Sequence, residues 1–341
     1  MKAPPLSVAM AVHNGMPFLE ESVRSILAQS FEDFEFVIGD DGSDDGSSEL
    51  LRRLAGQDGR IRLLRRERKS GLAASANWVV AAARAPLVAV AHADDRAAPD
   101  RLRLQAAVMA SAPDALLVGS LFDGIDEAGR VVRPADCWRL TRASPFAPFA
   151  HSSIMFRREA FFAVGGYRPE AEYWEDLDLY FRLASRGRLL VVPEILTSVR
   201  HSRISTRLRD DQERVENAVD LMFRVADAFW RGEDHEAVIQ AGHRPGRKLH
   251  PRTFVSRGST RLWSGRSPKI LGRMLRRSHF YADLASFQAL VWAVWSEILP
   301  RTLRWFIRSL LRLRNLAARR RLSRLPGVEW QPRPEFPARR P

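Results

Sequence analysis

The first half of the chain alternates short, unbroken apolar runs with segments whose apolar residues recur at helical spacing. Leu6 to Val12, Phe34 to Ile38, Ile61 to Leu64 and Leu87 to Ala91 read as buried strands. Between them, Leu19 to Gln29, Leu50 to Leu54 and the alanine-rich Ala73 to Arg84 read as helices. Strand and helix in alternation predict an α/β domain, a mostly parallel sheet with helices on both faces, because each parallel connection carries a helix across the sheet. Ligands of such sheets sit beyond the carboxyl ends of the strands, where the polar clusters of this sequence fall.

Near residue 205 the pattern changes. Gln212 to Trp230 predicts one long helix, followed by a connection rich in Gly, His and Arg and then by arginine-rich helical segments. From Pro326 onward, proline and arginine content predicts a disordered end. The expected organisation is an α/β domain over 1–205, a helical basic region over 206–325 and a tail over 326–341.

Charge adds a partner class. With 54 Lys+Arg against 40 Asp+Glu the formal charge is +14, which favours a phosphorylated substrate or an anionic lipid surface. No nucleic-acid-binding motif accompanies the charge, so nucleic acid is not expected as a partner. The single cysteine, Cys137, excludes an intramolecular disulfide and a cysteine-based metal cluster, and suits a reducing compartment. The N-terminus lacks the marks of a signal peptide, and no stretch reaches the ~18–20 apolar residues of a spanning helix, so a cytoplasmic location is expected. In Phe287 to Leu313, Arg301, Arg304, Arg308 and Arg312 share one helical face while Trp292, Trp295, Trp305 and Phe306 lie among the apolar positions. Such a helix either lies in an anionic membrane interface, which would make the protein peripheral on the inner face of the cell membrane, or packs on the α/β domain.

Three acidic clusters carry candidate chemistry. Asp40-Asp41-Gly42-Ser43 follows a strand, and its carboxylates could accept hydrogen bonds from a base N–H or a ribose hydroxyl, although Asp-Gly-Ser alone is an ordinary turn. His92-Ala93-Asp94-Asp95 follows the strand Leu87 to Ala91. Breaking a sugar-diphosphate bond calls for a cation at the leaving phosphates, and hard carboxylate oxygens select Mg²⁺ or Mn²⁺. Asp176, in Tyr173-Trp174-Glu175-Asp176-Leu177-Asp178, opens a helix and could take the proton of an acceptor hydroxyl. In isolation each cluster is equally a turn or a helix start.

Their order along the chain resembles a known family. Leu6 to Gly15, Ser25 to Phe31, Phe34-Glu35, Asp40 to Ser43, Gly71-Leu72 with Asn77, His92 to Asp95, Met155 to Arg158, Gly165-Gly166-Tyr167, Trp174 to Leu179, Arg182-Leu183 with Gly187, and Pro193-Glu194 are together similar to family 2 glycosyltransferases of the GT-A fold. The resemblance spans some 200 residues. It implies an inverting transferase that moves a sugar from a nucleotide-diphospho-sugar donor to a glycan or lipid-linked acceptor, in cell-surface polysaccharide synthesis. Asp40 and Asp41 then match the base and ribose contacts, with His13 near the base, and Asn14, Asn77 and Glu175 fall in the same donor-binding motifs. Asp94 matches the metal-binding end of the DxD motif, with Asp95 beside it, and Asp176 matches the catalytic base.

Departures from the family pattern are informative. His92 stands where the family has an aspartate, so a ribose or metal contact is either supplied by imidazole or lost, and its loss opens the alternative of a catalytically impaired nucleotide-sugar-binding protein. Val199-Arg200-His201 replaces a Tyr-Arg with a nearby histidine, leaving Arg200 for the diphosphate and His201 for the metal. No Gln-x-x-Arg-Trp run follows Asp178, so transfer of a single sugar is expected rather than polymerisation.

Overall fold

Continuous apolar runs become strands buried on both faces when helices cover both sides of a sheet. The computed structural model describes residues 3–133, 149–171, 173–202, 217–218, 220–222, 224–226, 228, 233–242 and 328–329. Two units divide the chain: Met1–Ser205 with Asn315–Pro341, and Thr206–Arg314.

In the first unit, β1 (Leu6–Val12), β2 (Phe34–Asp41), β3 (Ile61–Arg66) and β4 (Leu87–Ala91) form the parallel half of the sheet. The crossovers carry α1 (Leu19–Leu27), α2 (Ser47–Ala55) and α3 (Leu72–Ala82). On α1, Leu19, Val23 and Ile26 are fully buried at three- and four-residue spacing. Burial of each such side chain stabilises by about 1.5–3 kcal/mol, which holds the helix where its own nine residues would not. Gly39 lets α3 approach β2 closely, since a Cβ there would lie 2.5 Å from Val79 and 2.8 Å from the Trp78 ring.

The second half of the sheet is mixed. After β5 (Arg96–Ala97) and α4 (Arg101–Ser111) come β6 (Ala115–Ile125) and β7 (Val131–Arg133); β8 (Met155–Arg157), α5 (Arg158–Ala163), α6 (Glu175–Ala184) and β9 (Arg188–Arg200) follow. With β10 (Val328–Glu329), the strand order is β10-β9-β6-β8-β4-β1-β2-β3. Because β8 runs antiparallel to both β4 and β6, the sheet is less uniformly parallel than strand–helix alternation predicts. β10 falls in the end segment expected to be disordered, and it pairs antiparallel with β9.

Two details position the polar ends. β2 runs three residues past Ile38, so Asp40 and Asp41 are strand residues with buried side chains rather than members of an open loop. β5 pairs antiparallel with β9, bringing Arg200 beside the segment that follows β4. Register does the rest: Met10 pairs with Ala91 and Val12 with Asp40, so the segments after β1, β2 and β4 leave the sheet at one edge.

In the second unit every described position between 217 and 228 is helical, in line with the predicted Gln212 to Trp230 helix, and a further helix spans His235–Ala241. Asp234 caps it, accepting the Ala237 N–H at 3.1 Å. The amphipathic segment 287–313 and Cys137 lie outside the described residues. Among those described, no helix is long and apolar enough to cross a membrane.

Candidate active site

Loops after β1 and β2 are stitched together. The backbone N–H groups of Asn14 and Gly15 donate to Ser43 Oγ and Ser47 Oγ, each at 3.0 Å, and Met16 N–H donates to Asp45 at 2.9 Å. Asn14 itself has φ 56° and accepts the Asp44 N–H at 3.0 Å. Asp40 accepts from Ser43 N–H at 3.0 Å and from the Ser48 hydroxyl, while Asp41 accepts both the N–H and the hydroxyl of Ser70 at 2.9 and 2.8 Å. These carboxylates are thus engaged by the segments that follow β2 and β3. His13 is exposed beside them, with Nδ1 3.0 Å from the Asp41 carbonyl.

Asn77 has a different place from the donor contact expected of it. Its Nδ2 donates to Tyr167 O at 2.8 Å and its Oδ1 accepts Tyr167 N–H at 2.9 Å, so both ends of the amide pin the Gly165-Gly166-Tyr167 turn. Gly166 sits at φ +67°, and a Cβ there would come within 2.6 Å of Asn77 Oδ1. The buried Arg182–Asp178 pair secures the other side of that turn, Arg182 donating to the carbonyls of Val164 at 2.6 Å and Gly166 at 2.7 Å.

Beyond β4 the picture is one of concentrated charge. Ligand atoms of His92, Asp94 and Asp95 all lie within 4.8 Å of one another. Burial, and then the neighbouring Asp95 carboxylate, push Asp94 up to about 6. Burial also acts to raise Asp95, but His92, the adjacent Ser152 hydroxyl and the Arg200 N–H outweigh it and hold that carboxyl below its ordinary value. Partial burial opposes the charged form of His92, yet Asp95 and the fields of Asp94 and Asp176 raise it. A cluster that raises the proton affinity of both Asp94 and His92 is short of positive charge. Two carboxylates and an imidazole are also a donor set that fits a divalent ion.

His92 has a second partner that no sequence motif announced. Its Nε2 lies 3.0 Å from His151 Nδ1, and His151 Nε2 lies 2.7 Å from the Tyr167 hydroxyl. His151 is 59 residues from His92 and outside the motifs of the resemblance, so only the β4–β8 pairing, which sets the short 3₁₀ turn His151–Ser153 against β4, brings the two together. Burial, reinforced by the His92 charge, lowers His151 well below the ordinary imidazole value and keeps it neutral.

Two sequence expectations change here. Arg200 is buried, with its guanidinium engaged by protein: Nε donates to Asp94 O at 2.9 Å, the other nitrogens reach the carbonyls of Asp126 and Glu127 and the Glu21 carboxylate, and the plane lies over Phe18 at 4.4 Å. It therefore braces the acidic turn instead of presenting a free fork to a diphosphate. His201 is exposed, with its N–H bonded to Ile125 O at 2.8 Å, and stands outside the three-residue cluster. The imidazole of that cluster is that of His92.

Asp176 opens α6 in its first turn, after Tyr173, which is held at φ 71°. Its Oδ1 accepts the Leu177 N–H at 2.8 Å. The carboxylate is half-buried, and its field reaches His92, Tyr167 and Tyr180. The preceding Glu175 is buried.

A mostly parallel sheet flanked by helices, with a His/Asp/Asp cluster at a strand end and a helix-borne carboxylate, agrees with the GT-A fold that the sequence resemblance implies. Residues 7–165 match the family described as Glycosyl transferase family 2. EpsE of Bacillus subtilis (strain 168), whose name assigns it provisionally as a glycosyltransferase, is 30% identical over 223 residues, 63% of this chain and 80% of EpsE. The succinoglycan biosynthesis protein ExoO of Rhizobium meliloti (strain 1021) is 29% identical over 252 residues, 67% of this chain and 69% of ExoO. Among solved structures, S. aureus TarS 1-349 in complex with UDP superposes with a TM-score of 0.49 at 16% identity, over 74% of this chain and 79% of that one. The chain belongs to glycosyltransferase family 2.

Proposed function

We propose that the protein transfers a single sugar from a nucleotide-diphospho-sugar to a glycan or lipid-linked acceptor in cell-surface polysaccharide synthesis, by one inverting displacement. The observation that carries this is the His92–Asp94–Asp95 cluster at the end of β4, lying within the electrostatic reach of Asp176 on α6. Asp94 and Asp95 would hold Mg²⁺ or Mn²⁺, which when bound would offset the charge of the departing diphosphate. Asp176 takes the acceptor hydroxyl proton, the freed oxygen bonds to the anomeric carbon on the face opposite the leaving group, and the glycosidic electron pair leaves with the nucleoside diphosphate. Asp40, Asp41 and the stitched loops keep the nucleotide pocket rigid, with the exposed His13 ring available to the base. The succinoglycan role in the name of ExoO supports a polysaccharide acceptor.

Incubation with a panel of UDP- and GDP-sugars and Mn²⁺ tests the reading. Metal-dependent release of nucleoside diphosphate from at least one donor is expected. Binding without release of nucleoside diphosphate would favour an impaired binding protein, and failure of properly folded protein to bind any donor would count against both readings. The basic segment 287–313 is assigned to an anionic membrane surface, and salt-sensitive co-sedimentation with anionic liposomes, absent with neutral ones, is the expected result.

A further inference from the structure

A neutral imidazole has one bare nitrogen and one N–H, and whatever binds one side fixes the other. His92 is placed between two such demands. Its Nδ1 faces the acids, 3.5 Å from Asp95 Oδ2, and its Nε2 faces His151 Nδ1 at 3.0 Å with the rings edge to face. His151 Nε2 in turn meets the Tyr167 hydroxyl at 2.7 Å. The far end of this relay is anchored, because Tyr167 is buried and its backbone is held on both sides by the Asn77 amide.

The relay has two directions. In one, Tyr167 O–H donates to His151 Nε2, His151 Nδ1–H donates to His92 Nε2, and the His92 proton sits on Nδ1 toward Asp95. In the other, His92 Nε2–H donates to His151 Nδ1, His151 Nε2–H donates to the tyrosine oxygen, and His92 Nδ1 turns a bare lone pair on Asp94 and Asp95. Only the second admits a cation among the three side chains.

We propose that His92 is a metal ligand through Nδ1, and that His151 and Tyr167 are positioning residues that hold it in the ligating tautomer. The site then has mixed nitrogen and oxygen donors, favouring Mn²⁺ over Mg²⁺, whose preference is for oxygen. This rests on the metal-assisted reading above and adds to it the ligand identity, its supporting shell and the metal preference.

The test is Mn²⁺ binding to the full-length protein, alone and with UDP, followed by electron paramagnetic resonance with detection of nitrogen coupling, and with Mg²⁺ as competitor. Wild type should show coupling to one imidazole nitrogen, and His92→Gln should lose it. His151→Leu should weaken Mn²⁺ binding about 10- to 100-fold with little change for Mg²⁺. His151→Gln, whose side-chain oxygen can still accept from His92 Nε2–H, should retain most of the affinity, and Tyr167→Phe, which keeps the ring, should fall between. Absence of nitrogen coupling in wild type, with binding still abolished by Asp94→Asn, would overturn the proposal and leave the metal reading standing. Equal losses for both metals in His151→Leu and His151→Gln would show a structural role and also overturn it. No binding of either metal to wild type, with or without nucleotide, would sink the underlying reading instead.

Discussion

Two aspartate pairs occupy equivalent places, Asp40-Asp41 at the end of β2 and Asp94-Asp95 just beyond β4, and the fold treats them in opposite ways. The first pair is enclosed by serine hydroxyls and backbone N–H groups. In the second pair, burial and then the charge of Asp95 leave Asp94 raised to about 6, with His92 and Arg200 as the compensating charges. One pair has its hydrogen-bonding needs met by its own loops; the other is electrostatically incomplete, which is what the proposed metal site requires.

The strongest way to break this comparison is through Asp176, whose field reaches His92 beside the second pair. Asp176→Asn is expected to lower turnover by about 10²- to 10⁴-fold while donor affinity, read by calorimetry, stays near wild type. Unchanged turnover would remove Asp176 from the reaction and leave the charged cluster without its proposed partner.

Next in size is the first pair. Asp41→Ala removes the acceptor of two Ser70 bonds, and Asp40→Ala that of Ser43 and Ser48, so each should cost about 2–3 kcal/mol in urea unfolding. Ser48→Ala and Ser70→Ala should cost less, about 1 kcal/mol. Stability indifferent to all four would mean that the first pair is free for ligand after all.

Much of this frame was legible in the sequence, because strand, helix and order are local properties. The first four strands and three helices follow from apolar spacing, and the His92, Asp94 and Asp95 cluster lies in one short run. What was not legible is long-range. Arg200 looked available until β5–β9 pairing showed its donors engaged 73 to 179 residues away. Asn77 is tied to a turn 90 residues on. His92 meets His151 only through strand pairing. A residue's spare hydrogen-bonding capacity, unlike its presence in a motif, is decided by tertiary structure.

The second pair offers a pH signature of opposite sign to an ordinary structural carboxylate. Asp94 has its folded pKa raised above 3.8, so the folded state holds that proton more tightly than the unfolded chain, and stability is lost as pH rises from about 4 to about 6. Without metal, Asp94→Asn should therefore stabilise the protein at pH 7.5 by about 1–2 kcal/mol, a figure discounted for partial solvent access, and by nothing near pH 3.5. Glu35 behaves the other way. Burial alone would raise it, but Ser7, the Arg84 N–H and Arg62 hold it below 4.5, so its contribution is present at neutral pH and lost as pH falls below about 4.5. Thermal melts of Asp94→Asn and Glu35→Gln across pH 3.5 to 8 should diverge in sign at neutral pH. A destabilised Asp94→Asn at pH 7.5 would contradict the strained-cluster picture.

The smallest effect is the most local, and it asks how the loop after β2 is held against the end of β1. Asn14 combines a left-handed backbone, φ 56°, with a side-chain oxygen that accepts the Asp44 N–H. Asn14→Ala loses both the bond and the tolerance of that conformation and should cost about 1–2 kcal/mol. Asn14→Gly loses the bond but keeps the conformation, and should cost about half as much. If the glycine variant were as unstable as the alanine one, the loop would be held by the Asn14 side chain alone, and backbone conformation would have no part in bringing the β1 and β2 ends together.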